Sequence, residues 1–250
     1  MKPSIYSEFV AQAVQQLRTV FGGELLSVVQ LGSLAHGGFS ARFSDIDLAV
    51  ILSAPVAGSV VGTAQQQLAA LEPMELAKRV SLFWTVPDFS WGRMRPVDQV
   101  DLHDNGQVLW GQALDGLAPR PSLAEVRADM QLHSLPYWAD KTRLFAARLP
   151  ANDSEFKEYV RCLLYPARLI FTWQTGKLGG NDEAVAYLEQ LAPPGVWLDM
   201  AQAALGCRHG ALADSELFVF RQALVPQQLA TLQSLGLTMV ESAPTTENVS

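Results

Sequence analysis

Two aspartates separated by one residue, Asp45 and Asp47, stand at the head of the apolar run Leu48-Ala49-Val50-Ile51-Leu52. On an extended strand, side chains at i and i+2 share a face, roughly 6–7 Å apart, so both carboxylates can address one cation. Mg²⁺ asks for such hard oxygen ligands and often shares them with substrate phosphates. Eleven residues separate Asp45 from Gly32-Ser33. There, glycine permits close backbone approach, and the serine hydroxyl and neighbouring N–H groups can hold phosphate oxygens. The combination is suited to nucleotidyl transfer, in which metal ions offset triphosphate charge and polarise the attacked phosphorus. Taken singly, an Asp-x-Asp is a pair of solvated carboxylates and a Gly-Ser is an ordinary turn. At the mouth of a strand that should be buried, two unpaired charges would be costly, so the joint pattern points to a site.

The elements that position these residues are legible upstream and downstream. Ile5, Phe9, Ala13, Val14, Leu17 and Phe21 recur at helical spacing, and Gly22-Gly23 stops the run. Leu25 to Leu31 reads as a strand ending at Gly32-Ser33, followed by a glycine-rich loop with His36, Gly37 and Gly38. The uninterrupted apolar run after Asp47 predicts a central strand covered on both faces. Ala64 to Lys78 reads as a helix and Val80 to Val86 as a third strand closed by Pro87. A turn-rich stretch leads to an acidic cluster, Asp98, Asp101 and Asp104, and then to a short strand over Gln107 to Trp110. Gly116 to Pro121 reads as a linker, after which Ser122 and Glu125 stand in capping-box spacing. Helical periodicity then dominates: Glu155 to Gln174, with Pro166 expected to kink or split it, Glu183 to Leu191, and Val196 to Leu205. The polar end, Glu241 to Ser250, is expected to fray. The pattern is an N-terminal α/β domain over 1–118 and a C-terminal helical domain over 119–250.

The segment Leu31-Gly-Ser, eleven residues, Asp-Ile-Asp-Leu resembles the polymerase-beta-like nucleotidyltransferases, with a spacing one residue longer than their commonest form. Within that superfamily the chain looks most like the aminoglycoside adenylyltransferases that modify streptomycin and spectinomycin. Ala167-Arg168-Leu169-Ile170-Phe171, followed by Thr175-Gly176-Lys177, is similar to a helix and turn of their helical domain. The resemblance implies an α+β fold, with a mixed sheet in the first domain and an all-helical second domain. It implies that Asp45 and Asp47 bind two Mg²⁺ ions and that Gly32 and Ser33 hold the triphosphate of ATP. Arg168 would reach the nucleotide phosphates, with Lys177 a second candidate. Solvated helix-end charges are the alternative for both. Arg42 is a loop arginine within reach of a phosphate, or simply exposed. Glu158 is either the acidic group that faces a cationic drug or an exposed helix glutamate.

One position departs from the resemblance. The family places a third carboxylate on the strand after the intervening helix, as metal ligand and general base. The aligned position here is Ser81, which cannot take a proton in that role at neutral pH. Glu75, Asp88, Asp98 and Asp101 are the substitutes within reach, Asp98 and Asp101 foremost, because Val97 to Leu102 resembles the third-carboxylate strand of minimal nucleotidyltransferases. Of these, Asp98 reads as the third acid. The competing reading is that Asp101 or Asp104 caps a turn.

Composition bounds the partners. The chain has 250 residues, 49% of them hydrophobic and 17% charged, which excludes a disordered protein. Net charge is −7 and the acids are spread: residues 1–118 carry 7 basic and 11 acidic side chains, the remainder 11 and 14. That argues against nucleic acid or an anionic membrane as partner. Two cysteines and four scattered histidines give no zinc spacing. The uncharged run Leu48 to Leu71 is broken by Pro55, Gly58 and Gly62, so no membrane span is expected. The N-terminal residues lack a signal pattern, and a cytoplasmic address is expected. Trp84 reads as core; Trp91, Trp110 and Trp138 either line a cleft or pack at a boundary; Cys162 reads as a packed thiol.

The activity these features imply is transfer of AMP from Mg-ATP to a hydroxyl of a small, cationic acceptor such as an aminoglycoside. Two alternatives stand beside it. One is transfer of AMP to a partner protein, as in toxin–antitoxin pairs; the other is a nucleotide-binding protein impaired in catalysis by Ser81. Nothing in the pattern bears on oligomeric state.

Overall fold

The computed structural model describes residues 4–238. The end Glu241–Ser250, expected to fray, lies outside them. The chain divides between Pro121 and Ser122 into two compact units, each described by itself.

In the first unit, α1 (Ile5–Phe21) starts at Ser4, whose hydroxyl accepts the Ser7 N–H at 3.2 Å. Its helical stripe of Phe9, Ala13, Leu17 and Phe21 is buried. There follow β1 (Leu25–Leu31), α2 (Gly32–His36), β2 (Ile46–Leu52), α3 (Gly58–Ala69), α4 (Met74–Ala77), β3 (Val80–Thr85), α5 (Pro96–Asn105) and β4 (Gln107–Gly111). The sheet has the order β3-β2-β1-β4, with β2 parallel to β3 and antiparallel to β1, and β4 antiparallel to β1. It is mixed. β2 is central and covered on both faces, as its unbroken apolar run requires. On one face Val28, Ile46, Leu48, Val50 and Leu52 pack with Phe9, Ala13 and Leu17 of α1 and Val61, Ala64 and Leu68 of α3. On the other, Val29, Leu31, Ala49 and Ile51 pack with Met94 and with Leu102 of α5.

Several expectations are corrected here. The glycine loop after β1 winds at once into the single-turn helix α2. The helix expected over Ala64 to Lys78 is two: α3 begins six residues earlier at Gly58, and Pro73 caps the separate α4. Val97 to Leu102, read as resembling a strand, is helical. Pro96 sits in its first turn, Asp98 accepts the Arg95 N–H at 3.1 Å, and Val97 and Val100 stand at helical spacing, so the local signals start a helix. Trp84, Trp91 and Trp110 are partly buried against the first core, which is the packing alternative of their reading.

The second unit is helical. It comprises α6 (Leu123–Asp129), a π-helical turn at Met130–Ser134, α7 (Leu135–Ala147), α8 (Asp153–Thr175), α9 (Asn181–Leu191), α10 (Leu198–Arg208), a 3₁₀ stretch at Asp214–Ala223 and α11 (Leu224–Ser234). The capping box at Ser122 and Glu125 forms: the Ser122 hydroxyl accepts the Glu125 N–H at 3.3 Å, and Glu125 accepts the Ser122 N–H at 2.8 Å. α8 is the centre of this unit, with Tyr159, Leu163, Leu164, Leu169 and Ile170 almost fully buried. Pro166 does not split it. The proline is itself buried, and packing on its neighbours holds the helix through the hydrogen bond the ring removes. Trp138 stacks on Tyr165 with ring centroids 5.1 Å apart. Cys162 is a buried thiol pushed up to about 12 by burial, as a packed rather than reactive cysteine should be.

Candidate active site

The two aspartates lie at the mouth of β2, Asp45 just before it and Asp47 as its second residue, both half-buried. Asp47 shares the parity of Ala49 and Ile51, so its carboxylate points to the sheet face covered by α5. Across the antiparallel ladder its register partner is Leu31, the last residue of β1. The next residue is Gly32, at φ +64, where a Cβ would run into the Asp47 carboxylate. Only glycine fits this position, for both its backbone angle and the close approach. Across the parallel ladder the partner of Asp47 is Ser81. Ser81, where a third carboxylate was expected, thus lies beside Asp47 and offers a hydroxyl.

Asp45 is set by a contact that sequence reasoning missed. The loop before it turns on itself, with Ser44 N–H donating to the Ser40 carbonyl at 2.9 Å and the Ser44 hydroxyl accepting the Ser40 N–H at 2.9 Å. Arg79, the residue before β3, spreads its guanidinium over this loop. Nε donates to the Ser44 carbonyl at 2.9 Å, and the terminal nitrogens donate to the carbonyls of Ala41, Ser40 and Ser44. Its own carbonyl accepts the Ile46 N–H at 2.9 Å. A planar fork that satisfies several carbonyls is work for arginine rather than lysine. A lone arginine before a strand gave no sign of it in the sequence.

The acids proposed to replace the third carboxylate part company. Asp98 is occupied in starting α5, accepting from Arg95 N–H and lying 3.8 Å from the Arg95 guanidinium. Asp88, on an exposed turn, accepts from the N–H and hydroxyl of Ser90, which hold it below the usual carboxylate range. Glu75 is exposed on α4. Asp104 forms a two-pronged pair with Arg120, both N–O distances 2.7 Å. Asp101 differs: it is 5% exposed, and its Oδ2 accepts the Gly32 N–H at 2.8 Å. Asp47 and Asp101 thus approach the same glycine. Among the described residues no group of three or more His, Cys, Asp and Glu side chains gathers as a metal cluster.

The donor chemistry of the pair suits a hard dication. Asp45 and Asp47 offer carboxylate oxygens and Ser81 a hydroxyl beside them, with no imidazole or thiolate in the set. Mg²⁺ is commonly held by one or two carboxylates, with waters and phosphate oxygens completing its shell.

No protein-family model and no curated protein matches the sequence. The comparison of folds does find similar structures. Spectinomycin adenyltransferase AAD(9) from Enterococcus faecialis, crystallised with ATP and spectinomycin, superposes with a TM-score of 0.62 at 15% identity, over 90% of this chain and 98% of that one. The chain shares the fold of that adenyltransferase. Two toxin–antitoxin structures, a mutant MntA-HpeT and one with AMP-PNP, align over 52% of this chain and 92% of each of theirs, at 21% and 22% identity and TM-scores of 0.33 and 0.32.

The remaining residues singled out in the sequence sit as follows. Ser33 is half-buried on α2, directly after Gly32. Arg42 is exposed, its guanidinium 5.0 Å from the Phe43 ring centroid. Arg168 is half-buried on α8 in the second unit, and Lys177 is exposed just beyond the Gly176 cap. Glu158 is not a solvated helix glutamate. It is half-buried, takes the Lys141 ammonium at 2.6 Å and accepts the Tyr137 hydroxyl at 3.3 Å. The carboxylate holds the Lys141 pKa up, and burial together with the same negative charge raises that of Tyr137. No helix among the described residues is long and apolar enough to cross a membrane.

Proposed function

We propose that the chain is a nucleotidyltransferase that moves AMP from Mg-ATP to a hydroxyl of a small, cationic acceptor such as an aminoglycoside. The observation that carries the reading is Gly32 at φ +64, packed against the Asp47 carboxylate at the mouth of the central strand. The contact supports reading Gly32-Ser33 and the Asp45/Asp47 pair as parts of one site. Asp45 and Asp47 would hold Mg²⁺, whose positive charge offsets that of the triphosphate and polarises the α-phosphorus. Gly32 opens the approach for the triphosphate, and Ser33 offers its hydroxyl. The acceptor oxygen forms a bond to the α-phosphorus as the bond from that phosphorus to pyrophosphate breaks, and the hydroxyl proton leaves to solvent or base. Arg168 and Lys177 are the basic residues of the second unit proposed to bind nucleotide phosphates. The acidic chain suits a cationic acceptor, and the fold shared with a spectinomycin adenyltransferase supports a small one.

Incubation with α-labelled ATP, Mg²⁺ and a panel of aminoglycosides tests this. Label on a drug and release of pyrophosphate are expected; no transfer to any member, beside a working control enzyme, removes the drug-modifying reading. A second reading has its own observation, the hydroxyl of Ser81 opposite Asp47. If that position leaves the site without a base, the protein binds ATP without turning it over. Calorimetric ATP binding with no pyrophosphate under any acceptor condition favours that outcome.

A further inference from the structure

Asp101 is a buried carboxylate with no part in the mechanism above. A buried carboxylate is costly unless its oxygens are hydrogen-bonded, and both of these are. Oδ1 accepts Asn105 Nδ2 at 2.9 Å, one turn along the same helix, which orients the carboxyl group. Oδ2 reaches across 69 residues of sequence to the Gly32 N–H at 2.8 Å. The helix that carries it is seated by Leu102 on Val29, Leu31, Ala49 and Ile51, the sheet face to which Asp47 points. Gly32 is therefore gripped through its amide by Asp101 while its α-carbon abuts the Asp47 carboxylate. The Gly32 amide is thereby committed inside the protein and not offered to a phosphate.

We propose that Asp101 is a positioning residue, clamping the Gly32 amide so that the Gly32-Ser33 turn keeps the left-handed geometry that leaves room for Asp47. It acts through Gly32, not as the missing third ligand or base. The inference rests on the nucleotide-site reading of Asp45 and Asp47 for its effect on turnover, while the clamp itself does not. The two roles need different chemistry. A clamp needs an acceptor at Oδ2, whereas a ligand or base needs a negative charge. Asparagine keeps the first and removes the second, and Asn105 can present its own carbonyl to the new amide.

The test compares the full-length protein with D101N and D101A by two measurements. The first is hydrogen exchange of the Gly32 amide by NMR on the ligand-free protein. The second is AMP transfer, as kcat and KM for ATP. Gly32 exchange is expected to be slow in the parent and D101N and at least about tenfold faster in D101A, the range for loss of a charge-assisted hydrogen bond. KM for ATP is expected to rise about tenfold in D101A, with kcat of D101N within about threefold of the parent, since the acceptor rather than the charge is what the turn needs. Unchanged Gly32 exchange in D101A overturns the clamp. A D101N kcat lost as fully as that of D101A also overturns it, because charge would then be what matters. If the parent transfers no AMP, the functional reading falls while the exchange data still decide the clamp. If D101A does not fold, D101N decides alone: Gly32 protection retained supports the clamp, and protection lost contradicts it.

Discussion

Asp47 on β2 and Ser81 on β3 are register partners on parallel strands, and both side chains project to the α5 face of the sheet. A hydroxyl thus stands where a nucleotidyltransferase of this resemblance carries a carboxylate. Ser81→Asp should raise kcat for AMP transfer about 10- to 100-fold, at the lower end of what a positioned general base contributes. The same change should lower the melting temperature in the absence of Mg²⁺, because like charges on directly adjacent strands repel. Steady-state kinetics and a melting curve with and without Mg²⁺ read both effects. A variant no faster than the parent would mean that position 81 does not face the acceptor hydroxyl.

The turn before the aspartates should tolerate no side chain. Gly32→Ala places a Cβ against the Asp47 carboxylate and a left-handed backbone on an L-residue, which alone costs about 1–2 kcal/mol. A fall in melting temperature of roughly 5 °C is expected from that cost. Transfer activity should fall further than stability does, since Asp47 must move. Parent-like kinetics would show that the close approach is not needed.

Arg79 should matter more than its place in the sequence suggests. Its guanidinium satisfies the carbonyls of the 40–44 loop that delivers Asp45. Arg79→Ala is expected to reduce kcat about tenfold with the fold retained by circular dichroism, and Arg79→Lys to recover only part, because an ammonium cannot reproduce the fork. Full recovery by lysine would reduce the contact to simple charge.

Two buried groups on α8 set an alkaline limit to stability. Burial raises Cys162 from 9.0 to about 12 and Tyr159 from 10.0 to about 12, and the Tyr159 hydroxyl donates to the Leu217 carbonyl at 2.8 Å. Both folded values lie above the unfolded ones, so their contribution is fully present below pH 9 and is lost as pH rises toward 12. Melting temperature should stay level from pH 7 to 9 and fall above it, and Cys162→Ala should soften the fall. Thiol reagents at pH 8 should label Cys162 only after denaturation.

What the chain reveals in sequence and what it hides divide along contact range. β2 and its aspartates were readable because a continuous apolar run and an i, i+2 pair are local signals. The capping box at Ser122 and the α1 stripe were readable for the same reason. Val80 to Val86 was readable as the strand that carries Ser81, and it forms beside β2. The helix over Val97 to Leu102 was not, because a resemblance to a strand outweighed the start signals of Pro96 and the Asp98 cap. The Asp101 clamp on Gly32 and the Arg79 fork on the 40–44 loop span 69 and 35 residues, and no local pattern encodes either. At Pro166 the local helix-breaking signal does not split α8, where the proline and its neighbours from Cys162 to Ala167 are buried.

The central claim is that Asp45 and Asp47 serve nucleotidyl transfer, and one assay addresses it most directly. Protein, α-labelled ATP, Mg²⁺ and the aminoglycoside panel are combined, with Asp45→Asn and Asp47→Asn run alongside the parent. The account predicts labelled drug and pyrophosphate from the parent, and a loss of at least about 100-fold in each variant, as expected when a charge that stabilises the transition state is removed. Transfer that persists undiminished in both variants would contradict it.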